Sequence, residues 1–343
     1  MKTVLVGATG AVGTEMLRIL EERSWPSDEL VPVASPRSAG RKLPWKGSTI
    51  EVVALEESVF DGVDIALFDV PDDVSRKWAP LAAAAGAVVV DNSAAWRMDP
   101  EVPLVVPEVN PSDINERPKG IVASPNCTTL AMVVPLATLH RAAVLDRLIL
   151  ASYQAASGSG KPGVDELWEQ TEVVVKEADP VREGLARDVL TAGPTFTHPI
   201  AMNVIPQCGS VKSHGYTSEE IKLCDETRKI MGLPELRVTA TCVRVPVMVG
   251  HGVSVHAEFE REITPDEARE LLRAADGVEL QDDVDRGIFP TPLQAAGTDP
   301  CYVGRIRQDR FDRKALEMFC VADNLRKGAA LNTVQTAELL LNR

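Results

Sequence analysis

The order of apolar and polar residues in the first third of the chain predicts alternating strands and helices. Short apolar runs predict strands at 2–6, 30–34, 50–54, 63–68, 87–91 and 120–124. Apolar residues at helical spacing predict helices at 11–23 and 73–85. Pro32 weakens the second strand, because proline cannot donate a sheet hydrogen bond. Strands that alternate with helices are typical of a parallel sheet with helices on its faces, so the pattern predicts a Rossmann-type α/β domain.

The pattern changes in the rest of the chain. Strands are predicted at 147–153, 237–245 and 252–260, and helices at 128–141, 162–178, 218–231 and 325–342. Apolar and polar residues alternate cleanly in 252–260, which is typical of a strand with one covered face. Thr217 and Glu220 have the spacing of a capping box at the start of the helix at 218–231. Long strands with separate helices predict an α+β domain with an antiparallel or mixed sheet.

Composition narrows the kinds of partner. The chain has 343 residues, enough for about two domains. Hydrophobic residues make up 45% and charged residues 25%, which is typical of a globular protein with a sizeable core. The 36 Lys+Arg against 50 Asp+Glu give a net charge of −14, which argues against nucleic acid or an anionic membrane as a partner. An anionic ligand would therefore need a local cluster of positive charge.

The cysteines and the apolar runs bear on the cellular setting. The longest apolar run, at 81–90, is shorter than the ~20 residues that span a bilayer, and the N-terminus lacks the pattern of a secretory leader. The six cysteines form no CxxC pair, and none lies near a histidine at zinc-ligand spacing, so no metal site is expected. Scattered cysteines in a chain without a leader favour a reducing cytoplasm.

A glycine-rich segment, GATGAVG at 7–13, follows the first predicted strand and opens the first predicted helix. Glycines at this place allow a tight turn and a close approach of the backbone to a pyrophosphate, and the helix N-terminus offers N–H groups. The GxxGxxG spacing is a variant of the usual GxGxxG, so the flanking strand and helix carry the interpretation. The segment predicts a dinucleotide site, with a glycine-rich turn that binds no ligand as the alternative.

The segment after the second strand indicates which dinucleotide. Sites for NAD usually have an acid about 20 residues beyond the turn, which binds the ribose 2′-hydroxyl. Residues 35–42 read SPRSAGRK, with no acid and with three cations, Arg37, Arg41 and Lys42. These cations would hold a 2′-phosphate in an otherwise acidic protein, so NADP is predicted. The alternative is an exposed basic loop.

One cysteine has the setting of a nucleophile. SPNCTT at 124–129 joins a predicted strand to a predicted helix and places Cys127 at the helix N-terminus. The positive end of the helix dipole favours a thiolate there. A thiolate can attack a carbonyl or an acyl phosphate and form a covalent thioester. Cys242 lies in an apolar strand, and the other four cysteines are interpreted as packing residues.

A thiolate nucleophile usually works beside a base, and histidine is the best candidate. His251 lies in VGHG at 249–252, a glycine-flanked connection between two predicted strands from which a side chain can reach a cleft. His256 lies on the polar face of the next strand and is expected to face solvent. His140, His198 and His214 are not excluded by position.

Taken together, these segments resemble aspartate-β-semialdehyde dehydrogenases over essentially the whole chain. The matching blocks are GATGAVG at 7–13, SPRSAG at 35–40, DNSAAWR at 91–97, SPNCTT at 124–129, YQAASGSG at 153–160, SEEIK at 218–222, RVPVMVGHG at 244–252 and ADNLRKGAA at 322–330. The resemblance implies an NADP-binding domain at 1–126, joined by a C-terminal helix at 325–343, and a catalytic and dimerisation domain at 127–324 of a homodimer. It also implies NADPH-dependent reductive dephosphorylation of L-aspartyl 4-phosphate to L-aspartate 4-semialdehyde, with release of phosphate.

The resemblance also implies roles for single residues. The catalytic residues would be Cys127 as nucleophile, His251 as acid/base and Gln154 as the residue that orients the substrate. The substrate contacts would be Arg244 for the α-carboxylate, Glu219 for the α-ammonium, and Arg97 and Lys222 for the phosphate. The cofactor contacts would be Gly7, Thr9, Gly10, Ala11, Val12, Gly13, Arg37, Ser38, Ser157, Gly158 and Asn324. From the residues alone, plain structural roles are favoured instead: a surface ion pair for Glu219 and Lys222, a solvated loop cation for Arg97 and a strand-end amide for Gln154.

Three other functions share part of this sequence pattern. A short-chain dehydrogenase or epimerase also opens with such a turn but uses a YxxxK pair, and no tyrosine of this chain has lysine four positions on. Another phosphorylating acyl reductase, of the N-acetyl-glutamyl-phosphate or glyceraldehyde-3-phosphate type, would use the same cysteine and histidine. A non-catalytic NADP-binding regulator also stays open.

Overall fold

The computed structural model describes residues 1–341 of the chain. These residues form two compact units. The first unit contains Met1–Leu130, Asp225–Pro234 and the described residues from Leu325 onward; the second contains Ala131–Cys224 and Glu235–Asn324. Asn342 and Arg343, on which the predicted last helix and domain segment end, lie outside the described residues.

Strands and helices are numbered in chain order. The strands are β1 (Lys2–Val6), β2 (Glu29–Ala34), β3 (Lys42–Trp45), β4 (Ser48–Glu51), β5 (Val53–Ala54), β6 (Ile65–Phe68), β7 (Val88–Asp91), β8 (Ile121–Ala123), β9 (Leu145–Gln154), β10 (Arg237–Arg244), β11 (His251–Phe259), β12 (Val278–Leu280), β13 (Cys301–Gln308) and β14 (Ala315–Ala322). The α-helices are α1 (Ala11–Glu22), α2 (Asp72–Ala84), α3 (Cys127–Ala143), α4 (Gly160–Lys176), α5 (Ala178–Arg182), α6 (Ala186–Val189), α7 (Ser218–Met231), α8 (Pro265–Arg273), α9 (Pro292–Ala295) and α10 (Leu331–Leu341).

The first unit is built on a six-stranded parallel sheet in the order β5-β2-β1-β6-β7-β8. The side chains of β6 are all buried, as expected for a central strand covered on both faces. Helix α1 packs into the core of this unit because Met16, Ile19 and Leu20 recur at helical spacing and form its buried face. The predicted Rossmann-type architecture is confirmed.

Two strands of this unit differ from a simple reading of the sequence. Strand β2 forms despite Pro32, because β5 pairs only with Val33 and Ala34 and β2 has no outer partner at the proline. The single strand predicted at 50–54 is wrong, since Val52 interrupts it. The backbone of Val52 instead bonds to residues 40 and 41, so β4 pairs with β3 in a separate hairpin and β5 joins the main sheet.

The second unit is built on a six-stranded mixed sheet in the order β10-β9-β11-β14-β13-β12. Strands β9 and β10 are parallel, as are β12 and β13, whereas the other neighbours are antiparallel. In β11, Val253, Val255, Ala257 and Phe259 are buried, as the alternation predicts. The predicted mixed sheet is confirmed, and it places the ends of β9, β10 and the start of β11 side by side.

Helix boundaries follow local chemistry. The predicted capping box of α7 is present: the Thr217 N–H donates to Glu220 Oε2 at 2.7 Å, and the Glu220 N–H donates to Thr217 Oγ1 at 3.3 Å. The helix predicted from residue 325 is divided into a π-helical turn, Arg326–Ala330, and α10. Within residues 1–341, no helix combines the length and apolar character needed to cross a membrane.

Candidate active site

The turn between β1 and α1 requires glycine at two positions. Gly7 has a φ of 97°, and a Cβ there would lie 1.9 Å from the backbone oxygen of Asp69. A Cβ on Gly13 would lie 2.2 Å from the Gly7 oxygen, so the first turn of α1 packs directly on the strand end. The Gly10 N–H donates to the Gly7 oxygen at 3.0 Å, and Gly10 and Ala11 are exposed. The result is a backbone cradle at a helix N-terminus, which fits a pyrophosphate.

The side chains around the cradle include one residue that the sequence analysis missed. Thr9 and Val12 are half-buried, and Val12 packs against the core of the first unit. Asp69 follows β6, and its carboxylate accepts a hydrogen bond from Asn92 Nδ2 at 2.9 Å. Burial raises the pKa of Asp69. The sequence contained a signal for Asp69, namely an acid directly after an apolar strand. Ligands of such sheets bind at the carboxyl ends of the strands.

The predicted 2′-phosphate cluster lies in the loop after β2. A short 3₁₀ turn, Pro36–Ser38, follows the strand, with Arg37 exposed and Ser38 half-buried. Arg41 and Lys42 are also exposed. Since this loop offers positive charge and no carboxylate, its chemistry fits NADP better than NAD.

Cys127 is the first residue of α3. The Asn126 side chain caps the helix, since its Oδ1 accepts from the N–H groups of Thr128 at 2.8 Å and Thr129 at 3.4 Å. Cys127 is half-buried, whereas the other five cysteines are buried. Burial raises the pKa of the Cys242 thiol. Cys127 therefore differs from the other cysteines in both its exposure and its helix terminus.

Arg97 does not lie in solvent. The residue is buried; its Nη1 donates to Glu226 Oε1 at 3.1 Å and its Nη2 to the Asn92 carbonyl oxygen at 2.7 Å. The interpretation of Arg97 as a solvated loop cation is therefore wrong. Glu226 was not identified in the sequence, because it is 129 positions from its partner and belongs to no motif.

His251 is fully buried at the start of β11, rather than in the connection before that strand as predicted. The strand begins one residue early because His251 pairs with Ala322 of β14. Its Nδ1 accepts the Ala155 N–H at 3.0 Å, and its Nε2 has no hydrogen-bond partner among residues 1–341. Burial, with a smaller effect of the Arg244 charge, lowers the pKa of His251 to about 3. The imidazole is therefore neutral at pH 7.

Arg244 and Gly158 complete a pocket around this imidazole. Arg244 ends β10, is buried, and donates from Nη1 to the Ala155 oxygen at 2.6 Å. A Cβ on Gly158 would lie 2.6 Å from Arg244 Nη1 and 3.1 Å from His251 Nε2. The guanidinium and the imidazole thus occupy the space that a side chain on Gly158 would need, so one of them would have to move. Gln154 ends β9, directly before Ala155, and is 1% exposed.

Two predicted cofactor residues also stabilise this part of the second unit. Asn324 Nδ2 donates to Ser157 Oγ at 2.9 Å, and its Oδ1 accepts the Gly250 N–H at 2.8 Å. These bonds fix the glycine that precedes His251. Glu219 and Lys222 form an ion pair, with Lys222 Nζ 3.3 Å from Glu219 Oε2. This is the contact that the spacing of the two residues alone predicts.

The site residues therefore form two groups. The first unit carries the cradle, the basic loop, Arg97 and Cys127, and the second carries the imidazole pocket, the Ser157–Asn324 pair and the ion pair of α7. Each group combines residues from distant parts of the sequence.

The chain matches two family models. One is described as the semialdehyde dehydrogenase NAD-binding domain and covers residues 2–117. The other is described as the semialdehyde dehydrogenase dimerisation domain and covers residues 136–327.

Relatives match over nearly the whole chain. The aspartate-semialdehyde dehydrogenase of Corynebacterium glutamicum is 52% identical, with 98% of each chain covered. That of Aquifex aeolicus is 47% identical, with 99% of this chain and 98% of the relative covered. Among solved structures, aspartate semialdehyde dehydrogenase II from Vibrio cholerae has a TM-score of 0.92 at 43% identity, covering 99% of this chain and 98% of that one. The chain belongs to the aspartate-semialdehyde dehydrogenase family.

Proposed function

We propose that the chain catalyses the reversible, NADPH-dependent reductive dephosphorylation of L-aspartyl 4-phosphate to L-aspartate 4-semialdehyde and phosphate, the branch step towards lysine, threonine, methionine and isoleucine. Family membership supports this activity, as does likeness to the Vibrio cholerae enzyme, one structure of which is a complex with ASA. The observation that carries the mechanism is the buried, neutral His251, whose Nε2 makes no hydrogen bond within residues 1–341. An unpaired buried polar atom costs about 1–3 kcal/mol, which a reacting ligand can recover.

Cys127 is the nucleophile of this proposal. Its thiolate attacks the acyl carbon of aspartyl phosphate, and the bond from that carbon to the phosphate oxygen breaks, so that phosphate leaves and a thioester forms. The helix N-terminus supports this role, because the positive end of the α3 dipole favours a thiolate. The Asn126 cap keeps that first turn ordered.

His251 stabilises the oxyanion that forms next. When bound, NADPH supplies the hydride that reduces the thioester carbonyl. A neutral ring that accepts the Ala155 N–H at Nδ1 carries its proton on Nε2, so His251 can donate to the oxyanion of the tetrahedral species. That species then collapses as the carbon–sulfur bond breaks, which releases the aldehyde and restores the thiolate.

The substrate carries an α-carboxylate, an ammonium and a phosphate, and the two groups of site residues offer the opposite charges. Arg244 would bind the carboxylate, because a guanidinium holds both oxygens, and its burial strengthens the contact. Glu219 would bind the ammonium. Arg97 and Lys222 would bind the phosphate, and Gln154 would orient the intermediate.

The cofactor and the assembly follow the same division. The cradle at 7–13, with Arg37 and Ser38, would hold NADP, and Ser157, Gly158 and Asn324 would contact its reactive end. We assign 1–126 and 325–343 to the cofactor domain and 127–324 to the catalytic and dimerisation domain of a homodimer, in keeping with the description of the second family model. A thiolate nucleophile must stay reduced, which supports a cytoplasmic location.

The test is reduction of NADP by aspartate semialdehyde, followed by NADPH absorbance. Turnover should require phosphate, accept arsenate in its place and be poorer with NAD. Cys127→Ala should lower turnover to background, whereas Cys208→Ala, which alters a buried thiol, should keep it. A near-normal rate in Cys127→Ala would contradict covalent catalysis. Preference for N-acetyl-glutamate semialdehyde would favour the related acyl reductases, and no turnover with an unreactive Cys127 would favour a regulator.

A further inference from the structure

Glu226 in α7 is 1% exposed and binds two different donors within the first unit. Its Oε1 accepts from Arg97 Nη1 at 3.1 Å, and its Oε2 accepts the backbone N–H of Asn126 at 2.6 Å. These partners are 129 and 100 positions away in the sequence. A buried carboxylate is costly unless it is paired and hydrogen-bonded, so both contacts are needed to keep it there.

Asn126 connects this carboxylate to the nucleophile. Its side chain accepts from the N–H groups of Thr128 and Thr129 and thereby caps α3. Cys127 is the first residue of that helix. The bond from the Asn126 N–H to Glu226 therefore fixes the backbone directly before the nucleophile, while the Asn126 side chain fixes the backbone directly after it.

The same helix also holds the backbone of Arg97. Lys229 Nζ donates to the carbonyl oxygens of Arg97 at 2.7 Å, Asp99 at 2.7 Å and Val102 at 2.8 Å. Glu226 and Lys229 are three residues apart and so share one face of α7. The carboxylate binds the guanidinium of Arg97 and the ammonium binds its carbonyl group, so α7 fixes both ends of this residue.

We propose that Glu226 is a positioning residue that fixes the phosphate-binding guanidinium of Arg97 and the helix cap before Cys127 relative to each other through one carboxylate. This rests on the proposed function, which takes Arg97 as a phosphate contact and Cys127 as the nucleophile. A carboxylate accepts both hydrogen bonds at once, whereas an amide of the same shape offers one acceptor and one donor. Glu226→Gln must therefore leave either the guanidinium or the Asn126 N–H without its acceptor.

The experiment compares Glu226→Gln with Thr227→Val in the full-length chain. Thr227 is the next residue of α7, is fully buried, and has a hydroxyl without a hydrogen-bond partner within residues 1–341, so its replacement by valine breaks no hydrogen bond and keeps the shape of the side chain. With phosphate as the varied reactant, Glu226→Gln should lower kcat/KM about 10–100-fold, because a misplacement of about 1 Å costs that much. The KM for NADP should stay within about twofold, and Thr227→Val should match the wild type in both.

A double-mutant cycle separates positioning from a purely structural role. If Glu226 acts through Arg97, Glu226→Gln should cost clearly less in an Arg97→Lys background than alone. Should Glu226→Gln not fold, Glu226→Asp keeps the charge but is one methylene too short for both bonds, and the same loss is expected.

Three results would overturn the proposal. One is a lower Tm with kinetics per folded enzyme within about twofold of wild type. Another is a lower KM for phosphate at unchanged kcat, because Glu226 would then only offset the charge of Arg97. A wild-type chain without phosphate-dependent turnover would remove the proposed function itself, and the role of Glu226 with it.

Discussion

The cradle of the first unit and the imidazole pocket of the second unit both depend on glycine, but for different reasons. At the cradle, a side chain on Gly13 would meet the backbone oxygen of Gly7 at 2.2 Å, so backbone packs on backbone. In the pocket, a side chain on Gly158 would meet Arg244 Nη1 at 2.6 Å, so two functional side chains use the space that glycine leaves. The comparison shows that a required glycine identifies a site but does not identify its chemistry.

The electrostatics of the two regions differ as well. The cradle offers N–H groups of a helix terminus, which carry no titratable charge, and the buried carboxyl group of Asp69 lies beside them. The pocket buries an imidazole beside a guanidinium, and burial above all lowers the pKa of His251 to about 3. Binding at the cradle should therefore be sensitive to substitutions that move the backbone. Catalysis in the pocket should be sensitive to substitutions that change the identity or charge of a side chain.

The largest expected effect comes from removing the imidazole of the pocket. His251→Gln should lower kcat about 10²–10⁴-fold, the usual contribution of a positioned proton donor or acceptor. His256→Gln is a matched control, because His256 lies on the same strand outside the pocket and should keep kcat within about twofold. Steady-state rates at saturating NADP and semialdehyde measure both. Similar losses in the two variants would show that position in the pocket does not matter.

The next largest effects are expected at Gly158 and Gly13, whose replacement should change different kinetic constants. Gly158→Ala should lower kcat/KM for semialdehyde about 10–100-fold by displacing Arg244 or His251. Gly13→Ala should instead raise the KM for NADP about tenfold or more, because the cradle must open to admit the Cβ. Initial rates with each substrate varied in turn test this. If Gly158→Ala changed only the KM for NADP, its contact with the cofactor would outweigh its contact with the pocket.

Those features that depend on neighbours in sequence could be predicted. The strand, turn and helix around 7–13 follow from one continuous segment, and so does the position of Cys127 at the start of α3. The predicted alternation of buried and less buried residues in β11 is also confirmed, because a strand with one covered face has a period of two. The parallel sheet follows from the order of such elements. Of the six strands in the mixed sheet, only β9, β10 and β11 were predicted, and β12, β13 and β14 were missed.

Contacts between distant residues could not be predicted in the same way. The Glu226–Arg97 pair joins residues 129 positions apart, and the Arg244–Ala155 bond joins residues 89 apart. Nothing in the spacing of either residue indicates its partner. The single strand predicted at 50–54 is wrong for a related reason. The backbone of Val52 forms hydrogen bonds with residues 40 and 41, and these divide the segment into two strands.

A smaller effect is expected where the first unit uses a side chain instead of its backbone. Arg37→Ala should raise the KM for NADP about tenfold, because a hydrogen bond to a charged group contributes about 1.5–3 kcal/mol and exposure reduces that value. NAD is the internal control, since it lacks the 2′-phosphate, and its KM should not change. Initial rates with both cofactors measure this. Equal changes for NADP and NAD would show that Arg37 does not contact the phosphate.

The smallest expected effect is on the pH dependence of folding stability, which should differ in sign between the two histidines of β11. His256 Nδ1 lies 2.6 Å from Glu317 Oε1, and Asp309 is close enough that the three side chains offer ligand atoms within 4.8 Å of one another. Burial lowers the pKa of His256, but Glu317 and Glu258 together outweigh that and raise it. The protonated ring therefore stabilises the folded chain below the unfolded pKa of about 6.5, and this contribution is lost as the pH rises through the raised folded pKa.

His256→Gln should accordingly lower Tm by about 1–3 °C at pH 6, as expected for a partly exposed ion pair, and leave it unchanged at pH 9. His251 should act in the opposite direction. Between about pH 6.5 and pH 3 the unfolded chain binds a proton at His251 that the folded chain does not, so acidification destabilises the wild type relative to His251→Gln. Thermal unfolding of the three proteins from about pH 3 to pH 9 measures both pH dependences. If the Tm difference between the wild type and each variant changed in the same direction with pH, burial would not distinguish His251 from His256 on the same strand.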